Sequence, residues 1–149
     1  IARSTVSGNF AEGSGGGLYL RRAAQPRLMD SILWGNGAGE EGSAVSLRTG
    51  TTLHVSCSII DSSAVVGDGT WSAEQALFVD PEFCFPLPAP IAPEAGGSYR
   101  LSPESPAWAD ANECGRTLGA LPDLCLSGIG DLAPDDTPAS VAVPAGDRP

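Results

Sequence analysis

The residues of this chain that are able to do chemistry are few and scattered. Its single histidine, His54, has no serine–acid pair at a spacing that would assemble a hydrolase triad around it. An exposed or turn-lining imidazole is the expectation. The run Gly13-Ser14-Gly15-Gly16-Gly17-Leu18 lacks the aspartate of a calcium-binding glycine repeat and the following Lys-Ser/Thr of a phosphate loop, so it reads as a tight turn. The cysteines Cys57, Cys84, Cys114 and Cys125 contain no CxxC pair and have only His54 as an imidazole companion. Two disulfides in an oxidising compartment are therefore expected rather than a zinc site. Tyr19 and Trp34 are aromatic residues that can stack on a sugar or a partner if they face outward.

The elements that must position these groups follow a repeat. Ser31-Ile32-Leu33-Trp34-Gly35-Asn36 is preceded by Ser4-Thr5-Val6-Ser7-Gly8-Asn9 and followed by Ser58-Ile59-Ile60-Asp61-Ser62-Ser63, at about 27-residue intervals. Ile1, Leu28 and Val55 fall in one column, and Leu18 with Val45 and Leu20 with Leu47 in two others. In a strand, residues two apart share a face. The columns Ala2/Met29/Ser56, Ser4/Ser31/Ser58 and Val6/Leu33/Ile60 are thus expected to point inward. Arg3/Asp30/Cys57 and Ser7/Trp34/Asp61 are expected outward, with Ile32, and Asn9 should stack on Asn36 at a turn. The third copy should run to about Trp71 and then be displaced by a small insertion, leaving Ala76 to Val79 as the last strand.

This register separates the acids. Paired carboxylates for glycoside hydrolysis stand about 5 to 9.5 Å apart. Asp30 and Asp61 are offset by one repeat and four strand residues, and four such residues alone span about 13 Å. Asp68, Asp80 and Glu82 fall in turns without an aligned partner, and Arg3 has no carboxylate cluster beside it. No catalytic, cofactor or metal residue is assigned.

Gly (19) and Pro (13) break up helices, while a hydrophobic share of 42% still supports a core of short strands. All eight bases are Arg, against 18 acids, for a net charge of −10. Such a surface repels phosphate backbones, so nucleic acid is not an expected partner. No apolar run approaches the ~20 residues of a membrane span. Ile1 already lies inside the first copy, so a truncated start is expected.

After Asp80 come Pro81, Pro86, Pro88, Pro90 and Pro93, which read as an extended strap. Tyr99-Arg100-Leu101 reads as a short strand and Cys114 to Cys125 as a loop. Residues 127–149 turn to Asp, Pro, Ala and Gly and read as a flexible tail or linker. Four cysteines allow three pairings, and spacing alone leaves them open. Cys57–Cys84 with Cys114–Cys125 is preferred, because a strap passing outside Cys57 begins at Cys84. Pinned this way, the strap would cross the open end of the stack. Trp71 and Trp108 are expected to anchor that end.

Together, Ser7 to Leu20, Asp30 to Asn36, Leu77-Phe78-Val79-Asp80-Pro81-Glu82-Phe83, Tyr99-Arg100-Leu101 and Ser105-Pro106-Ala107 resemble bacterial right-handed parallel β-helix repeat proteins, near the C-terminal end of such a domain. The resemblance implies an all-β solenoid: about three coils over 1–80, a capping segment over 81–126, and then the tail. The separated acids and the expected disulfides lead to a non-catalytic extracellular or cell-surface module as the expectation, with outer-membrane association allowed. Structural or adhesive work, with a surface glycan or protein as partner, is the expected role, and a monomer the expected state. The alternative is the end of a polysaccharide-degrading lyase or glycoside hydrolase, because the fold hosts both.

Overall fold

The computed structural model describes residues 1–89, 97–121 and 124–125; the expected tail at 127–149 lies outside them. The chain is all-β. The first repeat supplies β1 (Thr5–Ser7), β2 (Phe10–Ala11), β3 (Leu18–Leu20) and β4 (Arg27–Met29). The second supplies β5 (Ile32–Trp34), β6 (Gly37–Ala38), β7 (Val45–Leu47) and β8 (Thr52–Ser56), and the third β9 (Ile59–Ile60), β10 (Val65–Gly67) and β11 (Thr70–Glu74).

Equivalent strands pair in parallel. Three sheets take one strand from each repeat, in the orders β1-β5-β9, β3-β7-β10 and β4-β8-β11, and β2 pairs with β6. Thr5 lies opposite Ile32, Leu18 opposite Val45 and Arg27 opposite His54, which is the 27-residue interval seen in the sequence. The interval holds from β5 to β9, where Ile32 meets Ile59.

It then contracts. Thr52 Oγ1 meets Thr70 Oγ1 eighteen residues on. The third repeat is therefore shortened, not lengthened by an insertion after Trp71. Most of the loss comes directly after Ile60, where the Asp61 side chain caps a 3-10 turn at Ser62–Ala64 and leads straight into β10, so that Val65 already lies opposite Val45; the rest falls between β10 and β11. The glycine-rich excursions at 13–17 and 35–43 have no counterpart there. Within the expected strand Ala76 to Val79, Leu77 bridges Ile59 in parallel.

One cluster fills the space among the three sheets: Leu20, Leu28, Leu33, Ala44, Val45, Leu47, Leu53, Val55 and Ile60. Burying such side chains contributes about 1.5–3 kcal/mol each. Alternation alone had put Met29 inside, but Leu28 is fully buried and Met29 is 40% exposed. The cause is the corner between sheets. Arg3, Asp30, Cys57 and Gln75 all have positive φ, between 43° and 50°. One left-handed residue between two strands resets the inward phase, and a one-residue slip exchanges the faces.

A serine follows three of these corner residues and ties the repeats together. Ser31 Oγ accepts from Ser4 N–H and Ser58 Oγ from Ser31 N–H, both at 3.1 Å. Each serine hydroxyl also donates across its own corner, to the carbonyl of Ala2, Met29 or Ser56. Asn36 repeats this pattern at the next turn, as its Oδ1 accepts from both N–H and Nδ2 of Asn9.

Beyond the repeats, β12 (Phe83–Phe85) pairs antiparallel with β13 (Ser98–Leu101). This segment runs along the outer side of β1-β5-β9 rather than across the end of the stack. Ile32 points outward from the stack as expected, and is buried there with Ile59, Phe83, Leu101, Ala107 and Leu118. Gly119 N–H donates to Asp30 O, and Ala120 N–H to Thr5 Oγ1. A Cβ at Gly119, whose φ is +91°, would lie 2.8 Å from Thr5 Oγ1 and 2.9 Å from Ile32 Cδ1, so the approach demands glycine.

The cysteines pair differently from the preferred assignment. The bonds are Cys57–Cys114 and Cys84–Cys125. Cys57 faces outward from its corner to the loop around Asn112, while Cys84 on β12 meets the chain that bridges Leu101 at Leu124. Replacing Leu33 with Ala is expected to cost about 2–5 kcal/mol in denaturant unfolding, and Met29→Ala less than about 0.5 kcal/mol. Equal losses at the two positions would contradict the corner.

Candidate functional site

Each sheet has one outer face, and the three faces differ. That of β1-β5-β9 is occupied by the C-terminal segment. Trp34, a candidate contact aromatic, is half-buried against the cluster beneath that segment and is not an open platform.

On β3-β7-β10 the other candidate, Tyr19, is 44% exposed. Arg48 lies 5.5 Å from its ring centroid and donates from Nε to the phenol oxygen at 2.9 Å. That hydrogen bond raises the Arg48 pKa above its ordinary value. The pair forms an exposed cation–π contact. Opposite Tyr19 on β7, Ser46 is fully buried, and its hydroxyl has no partner among the described residues.

The face of β4-β8-β11 carries paired polar side chains. Thr52 and Thr70 meet at 3.0 Å, and His54 Nδ1 meets Ser72 Oγ at 3.0 Å. The serine next to His54 was not expected from the sequence. A 27-residue interval would have placed it elsewhere, and the eighteen-residue third repeat brings it in. Arg27 sits on the other side of His54, and Glu74 lies opposite Ser56 in the next outward row. A triad orients its imidazole through a carboxylate on the nitrogen remote from the serine. Among the described residues His54 has no carboxylate hydrogen bond, so the pair reads as a cross-strand rung.

The carboxylates hold the chain rather than one another. Asp30 Oδ2 accepts from Arg116 Nη1 at 3.2 Å. Asp61 Oδ1 accepts from Ser63 N–H and Oγ, Asp80 Oδ1 from Glu82 N–H, and Glu82 Oε2 from Ser102 Oγ. Among the described residues no three His, Cys, Asp or Glu side chains gather as a metal site would require.

Two shallow clefts occur, one where the segment meets the stack and one within the segment. One, of about 470 Å³, is lined by Gln75 to Leu77 and Asp110 to Glu113. No sequence pattern marks Asp110 or Glu113 as cleft residues; the one local signal is an Asp- and Asn-containing loop before Cys114. Asn112 is committed to that loop, donating to Trp108 O and Arg116 O and accepting from Cys114 N–H. The second cleft, of about 270 Å³, is walled by Pro103, Trp108, Asp110 and Leu124. Trp108, expected at the end of the stack, lies on its side instead: it packs against the Ile32 cluster and donates from Nε1 to Ser102 O, within the segment, at 2.7 Å. Trp71 does anchor the end of the stack, packing on the core and meeting Phe78 edge to face at 6.1 Å.

The chain matches no protein-family model, no curated protein and no solved structure.

Because Ser46 Oγ is buried and unpaired, Ser46→Ala is expected to be neutral or to stabilise by about 1 kcal/mol. A thermal melt reads this out, and a clear loss of stability would mean that the hydroxyl has a partner.

Proposed function

We propose that the chain is the C-terminal part of a right-handed parallel β-helix of the bacterial repeat-protein kind its sequence resembles. In this reading it is a non-catalytic structural or adhesive module outside the cell. The observation that carries it is the in-register stacking of equivalent residues into three parallel sheets, stapled by Cys57–Cys114 to a segment along one side. Parallel strands joined by crossovers are right-handed in the great majority of cases, which supplies the hand. Two disulfides fit an oxidising compartment. Among the described residues no helix is long and apolar enough to cross a membrane.

The non-catalytic part of the reading is supported by what the chemically capable groups are doing. Asp30, Asp61, Asp80 and Glu82 accept hydrogen bonds that shape turns or attach the segment. The two outward polar rungs, Thr52–Thr70 and His54–Ser72, join neighbouring strands. The exposed Tyr19–Arg48 pair is the feature best suited to touch a glycan, since its ring face is flat and its guanidinium donates hydrogen bonds.

A glycan array with the purified chain, together with reducing-sugar and unsaturated-uronate assays, tests this. Saccharide binding lost in Tyr19→Ala, without turnover, is the expected outcome. Turnover abolished by an acid-to-amide change would replace this reading with that of a polysaccharide-degrading enzyme. Cys114→Ser is expected to cost about 2–5 kcal/mol, read by denaturant unfolding under non-reducing conditions. No loss would detach the segment from the structural role given to it.

A further inference from the structure

The third repeat carries an open strand edge. β11 is the outermost strand of its sheet. Thr70 N–H donates to Thr51 O, and Glu74 O accepts from Cys57 N–H, so these two residues turn their backbone groups toward β8. Alternation along the ladder then aims the N–H and C=O of Trp71 and Ala73 the other way, where no described strand receives them. After Leu77 bridges Ile59, the chain passes to the side of the stack, where Phe83 and Leu101 pack. An edge of this kind is a template for another strand.

The side chains show the same opening. Leu53 and Val55 face inward on β8 and are 0% and 2% exposed. Their partners on β11, Trp71 and Ala73, face the same way, yet Trp71 is only half-buried and Ala73 is exposed. Phe78 meets Trp71 edge to face and is itself 49% exposed, with Val79 at 48%. The outward row of β11 is polar: Thr70, Ser72 and Glu74. Around this end the charge has one sign. Asp61, Asp68, Glu74 and Asp80 lie in the third repeat or just after it, and neither Lys nor Arg occurs between Arg48 and Arg100.

We infer that the β11 edge docks an extended strand of a partner protein in which apolar and basic residues alternate. Residues two apart on the added strand share a face. The apolar set lies over Trp71, Ala73 and Phe78 and closes the end of the core. The basic set stands outward beside Ser72 and Glu74, where opposite charges pair across strands. Backbone bonds to Trp71 and Ala73 supply affinity, and the alternation supplies specificity. A second copy of this chain meeting edge to edge would set acid against acid, so the partner is a different, basic chain. The site is separate from the Tyr19–Arg48 pair and stands whether or not the chain binds a glycan.

Fluorescence anisotropy of a labelled, capped Lys-Val-Lys-Val-Lys-Val-Lys peptide, titrated with the 149-residue chain, tests this. Saturable binding is expected, roughly tenfold tighter than for the same peptide with Glu in place of Lys or with its four Lys and three Val in separate blocks. It is expected to weaken several-fold between ~50 mM and ~500 mM salt. Ala73→Pro removes an N–H that faces away from β8, leaves the internal ladder whole, changes no charge, and should abolish binding. Glu74→Lys should weaken it several-fold. Circular dichroism and non-reducing peptide mapping confirm that each variant is folded. In hydrogen exchange the bound peptide should slow the amides of Trp71 and Ala73. Absence of saturable binding overturns the inference, as does binding that survives Ala73→Pro or that is equal for the block peptide. Trp71 and Ala73 amides already protected without peptide would mean that another part of this chain, or a second copy, holds the edge, and would overturn it equally.

Discussion

The structure depends on a left-handed corner that recurs once per repeat. A non-glycine residue in this conformation costs about 1–2 kcal/mol, yet Arg3, Asp30, Cys57 and Gln75 all adopt it in one column. The hydroxyls of Ser4, Ser31 and Ser58 span that corner, and two of them also accept the backbone N–H of the neighbouring repeat. A buried serine is tolerated at this point because its donor and acceptor are both satisfied. The corner turns the chain from β4 into β5, and again from β8 into β9, and at its serine the N–H passes from the backbone ladder to the hydroxyl of the next repeat's serine.

Much of the exterior follows from the same corner. It directs Asp30 outward, where Arg116 reaches it, and Cys57 outward, where Cys114 bonds to it. It also resets the phase, so that Ile32 and Ile59 face away from the central core. Two exposed isoleucines in adjacent rungs would form an apolar stripe on the surface. The C-terminal segment lies where it does because its Phe83, Leu101, Ala107 and Leu118 pack on that stripe. Two apolar clusters thus lie on opposite sides of one sheet; Cys57–Cys114 ties the segment to the stack, and Cys84–Cys125 closes within the segment.

The contraction of the third repeat has consequences of its own. By omitting the glycine excursion, it brings Ser72 to His54 and Thr70 to Thr52, and it ends the stack on Trp71 and Phe78.

The sequence by itself determined the repeat interval, the parallel columns Val6/Leu33/Ile60 and Leu18/Val45, the serine and asparagine stacks and the presence of two disulfides. These are legible because each is a local pattern renewed at a constant spacing. Only the tertiary structure decided the phase at the corner, since a single left-handed residue shifts every inward position and leaves no mark in hydrophobicity. It alone placed the strap along the side, because that choice depends on the buried stripe of Ile32 and Ile59. The pairing of Cys57 with Cys114 follows from that placement and could not be read from spacing. The partner of His54 was hidden for the same kind of reason: it sits eighteen residues away in a chain whose established interval is 27. Register is a property of the assembled backbone ladder, and the sequence reveals it only where the repeat is undisturbed.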